Sequence, residues 1–291
     1  MATLRDIKRR ITSVTSTQQI TSAMKMISAA KLNRAQNAVR AAQPYSEKLR
    51  RMVTALAHGL TGEDHPLFEV REGGASLMIL FTSDRGLCGS FNTGLARMVH
   101  AFFSQGERAP EPELVIFGRT GNDFFKRRNW PIGRTIVHAK DPERRVGIRE
   151  VIEEIIPRFY AGEVGRVFLA FNRFYNPIRQ VPQVLPLIPV VPPEPEEGDP
   201  EAVVEERETL FEPSRTAILD VLLPSYLENQ LLAAHLNTEA GEHGARMVAM
   251  DGATKNAGEM ISGLTLQYNR VRQAAITREL IEIINGAEAL Q

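Results

Sequence analysis

From Met250 to Ala275 the sequence reads MDGATKNAGEMISGLTLQYNRVRQAA, within a longer stretch from Ser225 to Ala287 that contains no proline. Apolar and small residues recur in this segment at spacings of three and four, which is the period of one face of an α-helix. A single helix across the whole stretch would be about 90 Å long at a rise of about 1.5 Å per residue. One compact domain cannot cover a helix of that length, so its apolar stripe requires a long partner. The stripe consists of Met250, Ala253, Ala257, Ile261, Leu264, Tyr268, Val271 and Ala275.

The partner that the sequence offers is a second long helical stretch, from Thr3 to Ala57. Its apolar residues have the same spacing, but the stripe shifts before Ile20 and again before Ala35, which predicts local changes of supercoiling. Serine and alanine are frequent along it, so two helix backbones could approach closely. We therefore predict a coiled coil between the two ends of the chain, with a kink at Pro44. Its predicted seam comprises Leu4, Ile7, Ile11, Ile20, Ile261, Leu264, Tyr268 and Val271.

The residues between the two arms predict a small, Rossmann-like α/β domain. Short apolar runs typical of buried strands alternate with helical stretches, and this alternation indicates a mostly parallel sheet. The last run contains three prolines, so we expect it at an edge of the sheet. The predicted strands are Ala75–Thr82, Glu113–Phe117, Ile132–Val137, Arg166–Phe171 and Val181–Val191, and the predicted helices end near Phe103 or span Arg119–Arg128 and Arg144–Tyr160.

The predicted organisation has four segments. They are an N-terminal coiled-coil helix (1–58), the α/β domain (75–191), a loop with a short strand (192–212) and a C-terminal coiled-coil helix (213–291). The loop is rich in proline and acidic residues, a composition that cannot build a core. Its short strand is expected at Thr209–Phe211.

Glycine and proline raise a question about the C-terminal helix. Pro224 is expected to separate a short helix from the long one. Each internal glycine costs about 1 kcal/mol in a helix, so the glycines need a packing reason, and close approach to the small residues of the N-terminal arm would supply one. Whether Gly241 and Gly244 instead break the helix stays open at this point. The five glycines stand at positions 241, 244, 252, 258 and 263.

The net charge of zero results from a cancellation between segments. Residues 1–58 contain eleven Lys and Arg against two acids (+9), residues 192–212 contain nine acids against one Arg (−8), and the last 79 residues carry −3. Such asymmetry concerns partners rather than fold. A basic arm suggests the hypothesis of nucleic-acid binding, but Tyr45 is its single aromatic residue, so the arm lacks a stacking platform for bases. We expect no nucleic-acid partner.

The sequence contains no motif for catalysis, cofactor binding or metal binding. The loop after the first predicted strand contains Gly86 and Gly89 but no GxGxxG, and a P-loop motif is absent. Asp84 in this loop could either belong to a polar turn that attracts anions or cap a helix. The single cysteine, Cys88, has no partner for a disulfide or for nucleophilic chemistry, and the six histidines lack the spacing of a zinc site. A run of eighteen apolar residues, as in a membrane helix, does not occur either.

Several blocks of the sequence carry a recognisable pattern. They are Leu4–Ile11 (LRDIKRRI), Thr17–Met26 (TQQITSAMKM) with Ala29–Leu32, Thr82–Gly89 (TSDRGLCG), Tyr226–Asn229 (YLEN), Ala245–Met250 (ARMVAM), Tyr268–Ala274 (YNRVRQA) and Ile276–Ala287 (ITRELIEIINGA). By these blocks the chain resembles the gamma subunit of F-type ATP synthases over nearly its whole length. It departs from the family pattern at Ser90, Gly241 and Gly244. It also lacks the cysteine-bearing loop of chloroplast members and a transit peptide, so a bacterial member is expected.

The resemblance implies a non-catalytic rotor subunit at the centre of the F1 part of ATP synthase, without a cofactor. In this family the two terminal helices form an antiparallel coiled coil inside a ring of three alpha and three beta subunits, and the α/β domain lies beside epsilon on the c-ring of the membrane sector. Ion flow turns the chain, and rotation couples that flow to ATP synthesis or hydrolysis at the alpha/beta sites. One copy per complex and a peripheral position at the cytoplasmic face of the bacterial inner membrane are implied.

The resemblance also implies residues that contact partners. Met24 and Lys25 would lie opposite an acidic loop of the beta subunit. The other rotor–stator contacts fall on the C-terminal arm, at Arg246, Arg272, Gln273, Thr277 and Glu282. The alternative for each of these residues is ordinary solvated helix surface. For the whole chain, the alternative is a free-standing coiled-coil scaffold with an α/β binding domain, which would form a stable homodimer.

Overall fold

A computed structural model describes residues 3–57, 60, 62, 64–71, 73–104, 112–137, 141–191, 212 and 214–288, without the side chains of residues 141, 142, 282 and 286–288. The short strand predicted at Thr209–Phe211 lies outside these residues. The chain divides into two compact units, one formed by Met1–Ala29 with Arg246–Gln291 and the other by Ala30–Ala245.

Five helices and five strands make up the described part of the chain. The helices are α1 (Leu4–Ala57), α2 (Phe91–Ser104), α3 (Arg119–Lys126), α4 (Asp141–Tyr160) and α5 (Arg215–Glu288), and a short 3-10 helix covers Pro66–Phe68. The strands are β1 (Ala75–Phe81), β2 (Glu113–Phe117), β3 (Ile132–Ile136), β4 (Val164–Phe174) and β5 (Gln180–Ile188).

The sheet belongs to the larger unit and has the strand order β3-β2-β1-β4-β5. The strands β1 to β4 are parallel, and β5 pairs antiparallel with β4. The predicted α/β class with a mostly parallel sheet is therefore confirmed, and so is the edge position of the proline-rich strand. Pro182 and Pro186 lie in β5, where their missing N–H groups are tolerated because this strand ends the order of the sheet.

Alternation along β1 divides the core of the larger unit into two layers. Leu77, Ile79 and Phe81 belong to a core layer with residues of α4, α1 and α5, whereas Met78 and Leu80 belong to a layer with α2 and α3. Parts of both long helices are thus built into the core of the α/β domain.

α1 is one helix of 54 residues that continues through Pro44. Its inward positions alternate by four and three residues without a break, so the register shifts predicted before Ile20 and Ala35 are wrong. Ile20 is 60% exposed and does not belong to the seam, and Ile27 is 57% exposed. The reason is that polar residues occupy several heptad positions, so these isoleucines lie on the outer face. These positions are buried or half-buried except Lys25, which is exposed, and they are Ile7, Ile11, Val14, Gln18, Thr21, Lys25, Ser28, Leu32, Ala35, Val39, Ala42, Ser46, Leu49, Val53 and Leu56.

α5 is one helix of 74 residues that includes Pro224, so the break expected at Pro224 is wrong. A proline inside a helix costs about 3 kcal/mol, and burial of one leucine side chain contributes about 1.5–3 kcal/mol. Leu219, Leu223 and Leu227, which lie around Pro224 on one face, are each 0% exposed. Their combined burial exceeds the cost of the proline.

Gly241 and Gly244 do not break α5, which answers the question that the sequence left open. A Cβ at Gly241 would lie 2.7 Å from Cε2 of Phe91, and one at Gly244 would lie 3.1 Å from Cα of Pro177. These two glycines therefore bring α5 against the α/β domain, not against the N-terminal arm, and this corrects the packing reason expected from the sequence. Of the other three glycines, only Gly258 comes within 4 Å of α1 in this way.

Candidate functional site

The smaller unit is an antiparallel pair of segments from α1 and α5. Lys25 Nζ lies 2.6 Å from Asp251 Oδ1, and Thr254 Oγ1 donates to Thr21 Oγ1 at 2.8 Å. The residue numbers add to 276 in the first pair and to 275 in the second, so the two helices run in opposite directions in a constant register. The predicted antiparallel coiled coil is thereby confirmed.

Two contacts across this part of the seam are polar, those of Lys25 with Asp251 and of Thr254 with Thr21. Within α5, Asp251 Oδ2 also lies 3.0 Å from Nζ of Lys255. The hydrogen bond from Lys25 is the main reason why the pKa of the Asp251 carboxyl lies below its ordinary value, and the hydrogen bond from Lys255 lowers that pKa further. Polar pairs at heptad positions specify register at a cost in stability.

Replacement of Lys25 by glutamine is expected to raise the pKa of Asp251, because the variant lacks the strongest hydrogen bond to that carboxylate. A depressed folded-state pKa gives stability that is present above the unfolded-state pKa and is lost as the pH falls through the folded-state pKa. Lys25→Gln should therefore lose less stability on acidification than the parent. Carbon-13 NMR titration of the carboxyl group measures the pKa directly. Lys255→Gln is the matched control, and a larger rise in that variant would contradict the assignment to Lys25.

The end of α5 extends beyond the end of α1. In the observed register, Leu4 at the start of α1 lies opposite residues 271–272 of α5, and α5 continues for about 24 Å more at about 1.5 Å per residue. From Ile276 onward every described side chain is exposed. We call residues 276–288 the C-terminal tip. Its large apolar side chains and their exposed fractions are Ile276 (49%), Leu280 (54%), Ile281 (51%), Ile283 (67%) and Ile284 (61%).

The contact residues implied by the resemblance lie in two zones of the smaller unit. Met24 is half-buried, and Lys25 is exposed beside Asp251. The second zone lies on α5, and it begins about 30 Å from Asp251, the neighbour of Lys25, at about 1.5 Å per residue. It holds three exposed residues, Arg272, Gln273 and Thr277.

Arg246 is buried. It is 7% exposed and lies one turn from Met250, which is 6% exposed on the same face of α5. The contact with alpha or beta that the resemblance implies for Arg246 stays a prediction. Glu282 belongs to α5, but its side chain lies outside the described residues.

In the larger unit, α5 covers the place where doubly wound α/β proteins usually bind ligands. That place is the crevice at the carboxyl ends of the strands where the strand order reverses, which here lies between β1 and β4. The N–H of Phe174 in β4 donates to Asn237 Oδ1 of α5 at 3.1 Å, and Gly241 places the helix directly against Phe91. The Rossmann-like domain thus uses its usual ligand crevice to hold its own helix.

The polar loop after β1 has a structural use. Asp84 Oδ1 accepts from the backbone N–H of Arg119 at 3.0 Å, and Asp84 Oδ2 accepts from Nη2 of Arg144 at 2.8 Å. The capping interpretation of Asp84 is confirmed, although the capped helix is α3 rather than the helix that follows the loop. Across the described ranges, no three His, Cys, Asp or Glu side chains cluster as metal ligands do. None of the helices described has the length and hydropathy of a membrane span.

Sequence reasoning missed the polar contacts of the seam. Thr21, Asp251 and Thr254 are polar, so a stripe that is defined by apolar residues alone does not include them. A strict count of four and three from Ile7 passes through Thr21 and Lys25, so this count is the signal that would have found the polar positions.

The chain matches known proteins over its whole length. A family model described as ATP synthase matches residues 3–290. The "ATP synthase gamma chain" of Pelotomaculum thermopropionicum is 45% identical over 291 residues, with 100% of both chains covered. The protein of the same name from Desulforamulus reducens is 44% identical, again with 100% of both chains covered.

Two solved structures show a similar fold. A chain in the Euglena gracilis mitochondrial ATP synthase (OSCP/F1/c-ring) has a TM-score of 0.70 at 20% identity, with 99% of this chain and 94% of that chain covered. A chain in the central stalk and c-ring of the Tetrahymena thermophila mitochondrial ATP synthase has a TM-score of 0.60 at 21% identity, with 80% of this chain and 99% of that chain covered.

An α/β domain that is built around two long helices, with an antiparallel coiled coil and an uncovered apolar tip, defines a coiled-coil subunit of a larger assembly. Identity of 44–45% to curated relatives over the full length of the chain identifies the family within this class. The chain belongs to the ATP synthase gamma-chain family. It is a central-stalk subunit of the F1 part of ATP synthase, a membrane-associated complex.

Proposed function

We propose that this chain is the rotor that couples ion flow through the membrane sector to ATP synthesis and hydrolysis at the alpha/beta sites. The observation that carries the proposal is the C-terminal tip, with five large apolar side chains exposed beyond the end of α1. Burial of apolar surface contributes about 25 cal/mol per Å², so such a tip favours a surrounding partner. A ring of three alpha and three beta subunits would surround it.

The proposal assigns the chain a mechanical part and no catalytic residue or cofactor. Its proposed partners are alpha and beta, epsilon and the c-ring, with one copy of the chain per complex. The proposed location is peripheral, at the cytoplasmic face of the bacterial inner membrane. Segments 1–58 and 213–291 would form the shaft, and segment 75–191 would be the domain on the c-ring. The segment predicted as a loop, 192–212, lies outside the described residues except for residue 212.

The positive charge of α1 suits contacts that attract a partner subunit without holding the rotor in one position. Lys8, Arg9, Arg10 and Lys31 are exposed on α1, and they would attract an acidic loop of the beta subunit. Screened attraction between exposed charges acts over about 8–10 Å at physiological salt. It can therefore steer a rotating surface without holding it in one position.

Co-expression with alpha and beta tests the proposal. The chain is expected to co-purify with both subunits as one copy per complex and to remain a monomer when it is expressed alone. A stable homodimer that does not retain alpha and beta would support the coiled-coil scaffold instead, and it would contradict the rotor function.

Charge reversal at Lys25 or Arg272 is expected to uncouple ATP hydrolysis from proton pumping more than it destabilises the fold. Both side chains are exposed, and an exposed ion pair such as Lys25–Asp251 contributes only about 0.2–1 kcal/mol to stability. ATP-driven pumping and ATP hydrolysis are measured together in membrane vesicles that contain the assembled complex. The ratio of pumping to hydrolysis should fall in each variant.

The double variant Lys25→Glu with Asp251→Lys is the matched control, since it restores an ion pair inside the chain with reversed positions. If this control couples hydrolysis to pumping normally, the effect of Lys25→Glu comes from loss of the ion pair between residues 25 and 251, not from loss of a contact with the beta subunit. Unchanged pumping in vesicles that carry both Lys25→Glu and Arg272→Glu would contradict the two contact assignments.

A further inference from the structure

The end of β4 and the turn that leads to β5 combine features of a binding surface, and we call these residues, 173–179, the hairpin tip. Ile178 is 84% exposed, the highest value among the large apolar side chains of the described residues. The guanidinium carbons of Arg173 and Arg179 lie 5.5 Å and 4.9 Å from the centre of the Tyr175 ring. An exposed aliphatic side chain, an aromatic ring and two positive charges thus meet on one turn.

The hairpin tip is held in shape by its own hydrogen bonds. Asn176 Oδ1 accepts from the backbone N–H groups of Ile178 at 3.0 Å and Arg179 at 2.8 Å. Gln180 Nε2 donates to the carbonyl groups of Asn176 at 2.9 Å and Pro177 at 2.7 Å. Because the backbone is already fixed, a partner that binds Ile178 would have little loop ordering to offset.

α5 supports the hairpin tip from behind. A Cβ at Gly244 would lie 3.1 Å from Cα of Pro177 and 3.3 Å from Cε2 of Phe174, so the helix and the turn are in direct contact. The N–H of Phe174 also donates to Asn237 Oδ1 of α5. The turn is therefore fixed to a long helix that forms part of the domain core.

The two arginines of the hairpin tip have no carboxylate partner among the residues that the structure describes, and their guanidinium groups face Tyr175. Elsewhere on the domain, arginines pair with carboxylates, as Arg158 does with Glu113 at 2.6 Å. Tyrosine and arginine are enriched among residues that dominate binding energy. Positive charges without an internal partner favour an acidic one.

We propose that the hairpin tip is a docking surface for an acidic protein segment of another subunit of the synthase. Carboxylates of that segment would pair with Arg173 and Arg179, and an apolar side chain would pack on Ile178 and Tyr175. The inference rests on the proposed function, because that function requires the other subunits to be present. It adds a contact that lies outside the coiled coil.

Photo-crosslinking in the assembled complex tests the proposal. The only cysteine, Cys88, is buried, so Ile178→Cys adds one accessible thiol that can carry a benzophenone maleimide. Illumination is expected to link this position to an acidic segment of a partner subunit, identified by mass spectrometry. The yield should fall at least about fivefold when Arg173→Glu and Arg179→Glu are added, and it should also fall as salt screens the charges. Val221→Cys, at a position 74% exposed, is the matched control and should not give the same product.

Four results would overturn the proposal: linkage to a neutral or basic segment, linkage to lipid, linkage to 192–212 of the same chain, or no product in a complex that pumps normally. In the last case, normal pumping shows that the rotor function stands while the docking surface fails. A chain that does not co-purify with alpha and beta contradicts the rotor function, and the docking proposal then fails with it.

Discussion

Replacement of Gly241 by leucine is expected to lower the free energy of unfolding by up to about 2 kcal/mol, because overpacking costs about 1–3 kcal/mol and the gain in helix propensity returns only about 1 kcal/mol. The first added atom would lie 2.7 Å from Cε2 of Phe91. Phe91 is 6% exposed, so its ring has little open space to move into, and its backbone is held because Asn172 Nδ2 donates to the Phe91 carbonyl at 3.1 Å. Urea unfolding followed by circular dichroism gives the free energy.

Gly252→Leu is the matched control in the same helix. A Cβ at Gly252 meets nothing within 4 Å, and the position is exposed. The same substitution should therefore stabilise the chain by up to about 1 kcal/mol through helix propensity alone. A Gly241→Leu variant at least as stable as the parent would show that α5 does not sit as closely on Phe91 as the structure places it.

Replacement of four apolar residues of the C-terminal tip by serine is expected to weaken retention of the chain by alpha and beta strongly, with little effect on the isolated chain. The residues, Ile276, Leu280, Ile283 and Ile284, are each 49% exposed or more, and substitutions at exposed positions usually change stability by less than about 0.5 kcal/mol each. In the complex, burial of such a side chain contributes up to about 1.5–3 kcal/mol. Each loss of about 1.4 kcal/mol of binding free energy raises the dissociation constant tenfold.

The measurement compares the dissociation of the chain from the assembled complex with its unfolding when it is alone. The control set Ile276→Leu, Ile283→Leu and Ile284→Leu keeps apolar side chains at these positions and should be retained like the parent. If the serine set were retained as firmly and coupled as well as the parent, the tip would not be a buried contact.

The strands of the α/β domain could be predicted because a buried parallel strand is a short continuous apolar run. Glu113–Phe117, for example, is observed with the bounds that the sequence predicted. The sequence predicts that Asp84 can cap a helix but not which helix, because the helix that it caps begins 35 residues later, at Arg119. Contacts between distant elements leave no local pattern in the sequence.

The seam and the glycines show a second limit of sequence reasoning. Ile20 and Ile27 are apolar and seven residues apart, yet they are exposed, because the count of four and three from Ile7 passes through the polar residues Thr21 and Ser28 instead. Gly241 was expected to face α1, and it faces Phe91, since a glycine indicates close approach without naming the neighbour. The C-terminal tip was recognised by its motif, but its exposure follows from the register of two helices of unequal reach.

The polar pairs of the seam have a mechanical consequence for a chain that transmits torque. A slip of α1 past α5 by one heptad would bring Gln18 or Leu32 opposite Asp251 in place of Lys25, and neither can form the ion pair. These polar contacts therefore favour the observed alignment of α1 and α5 over alignments shifted by a heptad, although an exposed ion pair contributes only about 0.2–1 kcal/mol to that preference. A preferred register lets a twist applied at one end of the coil reach the other end with less slippage between the helices.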